Sequence, residues 1–162
     1  MDIKVERILV PIDFSAPSKL ALEYANALAD RFGAEIKLVH VVERSPHEVY
    51  EKWGVLPGPA FTPTADISVD PGKRLVVRDL MEESRTRLLD LTRTDTGRKY
   101  QVDVRHGHAV EELLDEIAAY KPRVVVMGTH GWKGFRHMML GSTTERMVRL
   151  SPVPVLTIRA QE

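Results

Sequence analysis

The stretch "VVVMGTHGWKGFRHMMLGSTTERMVRL", residues 124–150, decides how the whole chain is read. It begins as a short β-branched apolar run, passes through Gly128, Gly131 and Gly134, and resumes at Gly141-Ser142 as an amphipathic segment. The apolar run has strand character, and the 3.6-residue recurrence after it has helix character. A further apolar run, "VPVLTIRA" (153–160), follows. Strand, glycine loop, helix and strand imply parallel strands joined by a right-handed crossover.

The same alternation extends toward the N-terminus. "RILVPID" (7–13) reads as a buried strand closed by a carboxylate. The spacing predicts a helix after it, with Ser15 as N-cap, Gly33 as the residue that stops it, and Leu20, Tyr24, Ala27 and Leu28 on one helical face. "EIKLVHVV" (35–42) is a second strand. Residues 43–72 hold five of the ten prolines and no clear period, and read as a connector with a short helical turn near Val49–Trp53. Val77, Leu80, Met81, Leu88 and Leu91 predict a helix from Lys73 to about Thr94. "YQVDVRH" (100–106) alternates as a half-buried strand, and Val110, Leu113, Leu114 and Ile117 form a helical stripe that ends before Pro122. With the strands at 123–127 and 153–160, the expected fold is α/β: one domain over 1–162, an open five-stranded, mainly parallel sheet with helices on both faces. Such sheets collect ligands outside the carboxyl ends of their strands, where the winding direction reverses. Asp13, Val41 and Gly128 all fall at such ends.

Composition narrows the function. Lys+Arg and Asp+Glu balance at 23 each, so no global field draws the chain to nucleic acid or to an anionic membrane, and any anion site must be local. The chain has no cysteine, which excludes disulfides, thiolate metal sites and cysteine nucleophiles. The N-terminal "MDIKVERILVPIDF" carries charges where a signal peptide needs an apolar core, and no apolar run approaches the roughly 18 residues of a membrane span. The expected compartment is the cytoplasm.

Two phosphate loops can be tested directly and both fail. A Walker loop needs Gly-Lys-Ser/Thr, but Gly72-Lys73 is followed by Arg74. A dinucleotide fingerprint needs Gly-x-Gly-x-x-Gly after the first strand, where this chain has "DFSAPS". What is present is Gly128-x2-Gly131-x9-Gly141-Ser142. Ser142 and Glu145 have capping-box spacing at a helix start, which leaves amide groups and a partial positive charge at that end. Lys133 and Arg136 add cations nearby. On these grounds two readings stand: a local phosphate site, or glycines that serve turns only.

The spacing Gly-x2-Gly-x9-Gly-Ser, preceded by "VVVM" and followed by "SPVPVL", resembles the nucleotide-binding signature of the universal stress protein family. "ILVPIDFS", "LVHVV" and "VRHGHAVEELLDEIA" resemble that family too, so the likeness covers essentially the whole chain apart from 43–72. The resemblance implies a Rossmann-like five-stranded fold, a homodimer, and the family's ATP-binding branch, with ATP accompanied by magnesium. It also implies site roles. Asp13 resembles the carboxylate that contacts the nucleoside, and Pro11 and Val41 the walls of the adenine pocket. Met127 would lie beside the nucleoside, and Gly128, Gly131, Gly141 and Ser142 at the ribose and phosphates. Arg123 departs from the acidic residue often found before the fourth strand, and the Pro-rich connector is a second departure.

Other candidates are weaker. His40 sits in an apolar strand as a core histidine would. His106-Gly-His108 has metal-ligand residue types but no third ligand in sequence. His130 either hydrogen-bonds phosphate or braces the loop, and Met138-Met139-Leu140 reads as core ahead of a lid. Loops as long as the connector are usually lids, binding segments or disordered, and Trp53, Val55, Leu56 and Phe61 are too apolar for a plain linker. No catalytic constellation is assembled: there is no Ser-His-Asp order and no carboxylate pair at fixed spacing. The expectation is therefore a cytoplasmic universal stress-type protein, not a dedicated enzyme, though slow ATP hydrolysis is compatible with it. It would bind ATP, dimerise through the terminal apolar strand, and act as a stress-response sensor or regulator. The alternatives are a nucleotide-free dimeric interaction module and an ATP-using enzyme such as a nucleotidyl transferase.

Overall fold

The structure, a computed structural model, describes residues 4–43, 71–93, 97–129 and 141–159, with the side chains of 71–76 excepted. The 44–70 part of the connector, Gly131, His130, Lys133, Arg136 and Met138–Leu140 lie outside the described residues, and so do the expectations placed on them. The elements are β1 (Arg7–Pro11), α1 (Ala16–Phe32), β2 (Glu35–Glu43), α2 (Pro71–Thr92), β3 (Tyr100–Gly107), α3 (Ala109–Tyr120), β4 (Val124–Gly128), α4 (Ser142–Leu150) and β5 (Val155–Ile158). All strand pairs are parallel, in the order β3-β2-β1-β4-β5. The winding direction therefore reverses between β1 and β4, with β5 at one edge.

Strand alternation divides the core between two faces. Ile8, Val10, Ile36, Leu38, Val126 and Ile158 pack with Ala21, Leu22, Ala25 and Ala29 of α1 and Leu88 of α2. Leu9, Val39, Val125 and Met127 pack with Val110, Leu113 and Ile117 of α3 and Met147 of α4.

Helix α1 starts and stops where its local signals place it. The Ser15 hydroxyl accepts from the Ser18 amide at 3.3 Å, and Gly33, at φ 67°, returns its amide to the Ala29 carbonyl at 2.8 Å. Its inner face differs in part from the expected stripe: Leu20 and Leu28 pack against the core, partly buried. Tyr24 is 52% exposed and Ala27 is exposed, while Ala21, Ala25 and Ala29 form the buried stripe. Small residues win this face because α1 lies close on the sheet. The same closeness explains one glycine: a Cβ on Gly128 would stand 2.8 Å from the carbonyl carbon of Pro17, in the first turn of α1.

Under α3 the sheet carries charge. Glu116, 2% exposed, accepts from Lys37 Nζ at 2.6 Å and from Arg105 at 3.0 Å. Arg105 also donates from Nε to Glu112 at 2.7 Å, and Asp103 lies 3.6 Å from Lys37. These contacts hold Arg105 above its ordinary value, chiefly through the Glu112 hydrogen bond.

Candidate functional site

Strands β1 and β4 separate at the reversal point, and Pro11 is the physical reason. β1 pairs with β2 through all five of its residues, but with β4 only at Ile8↔Val124 and Leu9↔Val125. Backbone groups of successive strand residues point to opposite neighbours. The Ile12 amide donates to Val39 on β2, whereas the Arg7 carbonyl accepts from Arg123 at the start of β4. Residue 11 therefore faces β4, and a proline there has no N–H to give. The ladder ends at that point, between the carboxyl ends of β1 and β4, which is where open parallel sheets have their ligand crevice.

The alternation that builds the core also sorts the candidate residues. Pro11, Val41 and Met127 occupy odd positions on the face that carries α3 and α4, and Pro11 falls two residues beyond the Leu9↔Val125 pair, alongside Met127. Pro11 and Val41 are half-buried. Met127 is 5% exposed and belongs to the core beneath α3 and α4, so only its margin borders the crevice. Asp13 projects past the end of β1 with an exposed carboxylate, which accepts from both the amide and the hydroxyl of Ser15.

Helix α4 opens at the same edge, one residue earlier than the capping-box spacing suggests. Gly141 is the N-cap and Ser142 the first helical residue, and no side chain caps this end. Glu145 turns along the helix to Arg149 at 3.6 Å. Long-range anchoring sets this register: the Gly141 amide donates to the Thr129 carbonyl, and the Thr144 hydroxyl to the Gly128 carbonyl at 2.8 Å. The amides of Ser142 and Thr143 are left at the open end of the helix, with the positive end of its dipole. Gly141 itself has φ −67° and ψ 151°, an extended conformation open to any residue, so the backbone does not require glycine there.

The structure thus brings Pro11, Asp13, Met127, Gly128, Gly141 and Ser142 to one edge of the sheet, with Val41 near the same end of β2 and on the same face as Pro11. Among the described residues, no group of three or more His, Cys, Asp or Glu gathers in a metal-binding arrangement, and His108 instead begins α3. A groove of about 440 Å³, lined by Arg7, Lys121, Arg123 and Val153 among others, lies at the amino-terminal edge of the sheet and is no part of this crevice.

Residues not singled out by spacing surround the β1–α1 loop. Phe14 has φ 64°, and its ring lies 4.7 Å from that of His40 and 3.8 Å from the guanidinium of Arg87. His40 Nδ1 meets the Ile12 carbonyl at 2.7 Å, which makes Nδ1 the donor. No sequence signal announces a left-handed phenylalanine. Burial pushes His40 below its ordinary value, helped by Arg87 and opposed by the Ile12 carbonyl and Asp13. Its neutral form is thus the one the fold prefers. The unfolded chain takes up a proton first as pH falls, so the stability from His40 is complete above about pH 6.5 and declines below it toward the lower folded value. Urea unfolding between about pH 5 and 8 should show a steeper loss for the parent than for His40→Phe, by at most about 1.4 kcal/mol per pH unit. Parallel curves would remove His40 as the cause.

Known proteins share both the sequence pattern and the fold. The profile of the universal stress protein family matches residues 4–53 and 55–159. Universal stress protein MJ0577 of Methanocaldococcus jannaschii is 26% identical over 161 residues, covering 98% of each chain. The solved structure of MJ0577 superposes with a TM-score of 0.78 at 22% identity, over 99% of each chain. A universal stress protein solved in complex with cAMP gives a TM-score of 0.61 at 18% identity, covering 98% of this chain and 100% of that one. The universal stress protein of Archaeoglobus fulgidus, solved in complex with dAMP, gives 0.54 at 15% identity, covering 96% and 99%. With a family profile matched along nearly its whole described length and a sheet of the same design, the chain belongs to the universal stress protein family.

Proposed function

We propose that this chain binds ATP in the β1–β4 crevice and acts as a nucleotide-responsive stress protein, a cytoplasmic homodimer and not a dedicated enzyme. The observation that carries the reading is the split between β1 and β4. It supports the reading because Asp13, with an exposed carboxylate, and Gly141-Ser142, an uncapped helix end, lie at the carboxyl ends of the two strands whose ladder stops there. The nucleoside would rest over Pro11, Val41 and Met127 and meet Asp13. The phosphates would lie at Gly128, Gly131, Gly141 and Ser142, where helix-end amides and the dipole favour anions. Magnesium would be held mainly by the phosphates. The cAMP and dAMP complexes of proteins with this fold support an adenine nucleotide as the ligand class.

The dimer would form along β5, an edge strand with Leu156 38% exposed. A specific observation favours the rival, a nucleotide-free dimeric module: packing against Pro17 already accounts for Gly128. Calorimetry on protein stripped of nucleotide decides between them. Saturable binding of ATP at one site per chain is expected, and absence of heat with both ATP and adenosine at millimolar concentration would leave the rival. Light scattering on the same sample should give twice the chain mass.

A further inference from the structure

The loop that carries Asp13 is held from the face of the sheet opposite the proposed nucleoside floor. Phe14 is only 6% exposed and sits at φ 64°, a region that bulky residues occupy only when their surroundings impose it. Three elements impose it here. From β2, the His40 ring packs on Phe14 at 4.7 Å and its Nδ1–H fixes the Ile12 carbonyl. From α2, Arg87 lays its guanidinium 3.8 Å from the Phe14 centroid. Within the loop, Ser15 donates twice to Asp13. Asp13 lies between Ile12 and Phe14, so holding its neighbours sets the direction of its carboxylate.

We propose that Arg87 is a positioning residue for the nucleotide site: its guanidinium, seated on Phe14 with His40 packed on the same ring, holds the β1–α1 loop so that Asp13 faces the ligand. This rests on the reading of Asp13 as a nucleotide contact. Arg87 itself touches no part of the crevice floor, being on the α2 side. The clamp also makes the site sensitive to pH. A proton on His40 would put a second cation against Phe14 beside Arg87, with Asp13 the anion that acts on it among the described residues. The backbone partner from β1 is the Ile12 carbonyl, and the β3 position beside His40 is Val104, so neither adds a charge.

Arg87→Met and Arg87→Lys test this in the full chain. Arg87 is exposed, so both variants should fold, with thermal unfolding as the control. Arg87→Met should speed hydrogen exchange of the Ser15 amide several-fold, measured against the Ile8 and Val10 amides. It should raise the pH at which the His40 ring titrates by NMR, and weaken ATP and adenosine alike by about two- to fivefold. Arg87→Lys should return the His40 titration toward the parent while recovering only part of the affinity, because lysine keeps the charge without the flat guanidinium. In the parent, affinity should fall as pH drops through the His40 titration, and this dependence should weaken in Arg87→Met. Unchanged Ser15 exchange in Arg87→Met overturns the clamp. Faster exchange with unchanged affinity overturns the positioning role. A parent that binds neither ATP nor adenosine sinks the nucleotide reading, while the Ser15 exchange still decides whether the clamp exists.

Discussion

Replacing Glu116 by alanine is expected to lower stability by about 3–5 kcal/mol, the usual cost of removing one partner from a buried ion pair. Glu116 is 2% exposed and takes both Lys37 and Arg105. Lys37, with a side chain 16% exposed, has only Asp103 left at 3.6 Å once Glu116 is gone, and Arg105 keeps Glu112. The residual partners place the effect toward the lower end of that range. For a chain of this length the unfolding midpoint should fall by roughly 6–20 °C. Glu116→Gln keeps the shape and one hydrogen-bonding oxygen, and should lose clearly less. The informative comparison is Lys37→Met combined with Glu116→Leu: an apolar pair of similar volume should recover much of the loss, because the desolvation of two charges disappears with them. Thermal unfolding of the three variants is the measurement. A loss below about 1 kcal/mol in Glu116→Ala would mean that water reaches Lys37 and that the network stabilises little.

The parts of this fold legible in sequence are those with local causes. Ser15 and Gly33 bound α1 through contacts within three or four residues, and Pro122 ends the α3 stripe for a backbone reason. The five strands and their order of appearance followed from the alternation of periods. Long-range causes defeated the reading in two places. The stripe read on α1 is half right: Leu20 and Leu28 pack on the core, but Tyr24 and Ala27 face outward, and the close approach to β4 that forbids a side chain on Gly128 puts Ala21, Ala25 and Ala29 against the sheet. The start of α4 was given to Ser142 because Glu145 follows at capping distance. Two bonds to the end of β4, from Gly141 and Thr144, fix the helix at Gly141. Pro11 was legible as a candidate wall by family resemblance, yet its effect on the β1–β4 ladder requires the strand order. Glu116 lies among Glu111, Glu112 and Asp115, and nothing local marks it as the acid that faces inward. Phe14 and Arg87 are 73 positions apart and meet only because α2 and α1 cover the same face of the sheet.

Gly141→Val is expected to abolish ATP binding while adenosine binding survives. The native φ of −67° and ψ of 151° suit a β-branched residue, so the substitution brings no backbone strain, and the fold should persist. The Gly141 amide is already given to Thr129, which leaves the Ser142 and Thr143 amides as the donors for phosphate. A valine side chain at the helix entrance would cover them. Losing two charge-assisted hydrogen bonds worth about 1.5–3 kcal/mol each weakens ATP by at least about 100-fold. Adenosine lacks the phosphates and should lose less than about threefold, since its contacts are proposed at the other end of the crevice. Ser142→Ala is a milder probe: Ser142 is not the cap, so helix stability should hardly change, and loss of one neutral hydrogen bond lowers ATP affinity about two- to tenfold. Asp13→Asn supplies a contrasting pattern. Its amide oxygen still accepts from Ser15 and keeps the loop closed, but the lost charge should weaken adenosine and ATP by similar factors. General unfolding would remove both ligands together, so a Gly141→Val variant that loses ATP and keeps adenosine, beside an Asp13→Asn variant that weakens both, would separate the phosphate end of the site from the nucleoside end. If Gly141→Val binds ATP as the parent does, the start of α4 holds no phosphate, and the glycines of 128–141 serve only a turn between a strand and a helix.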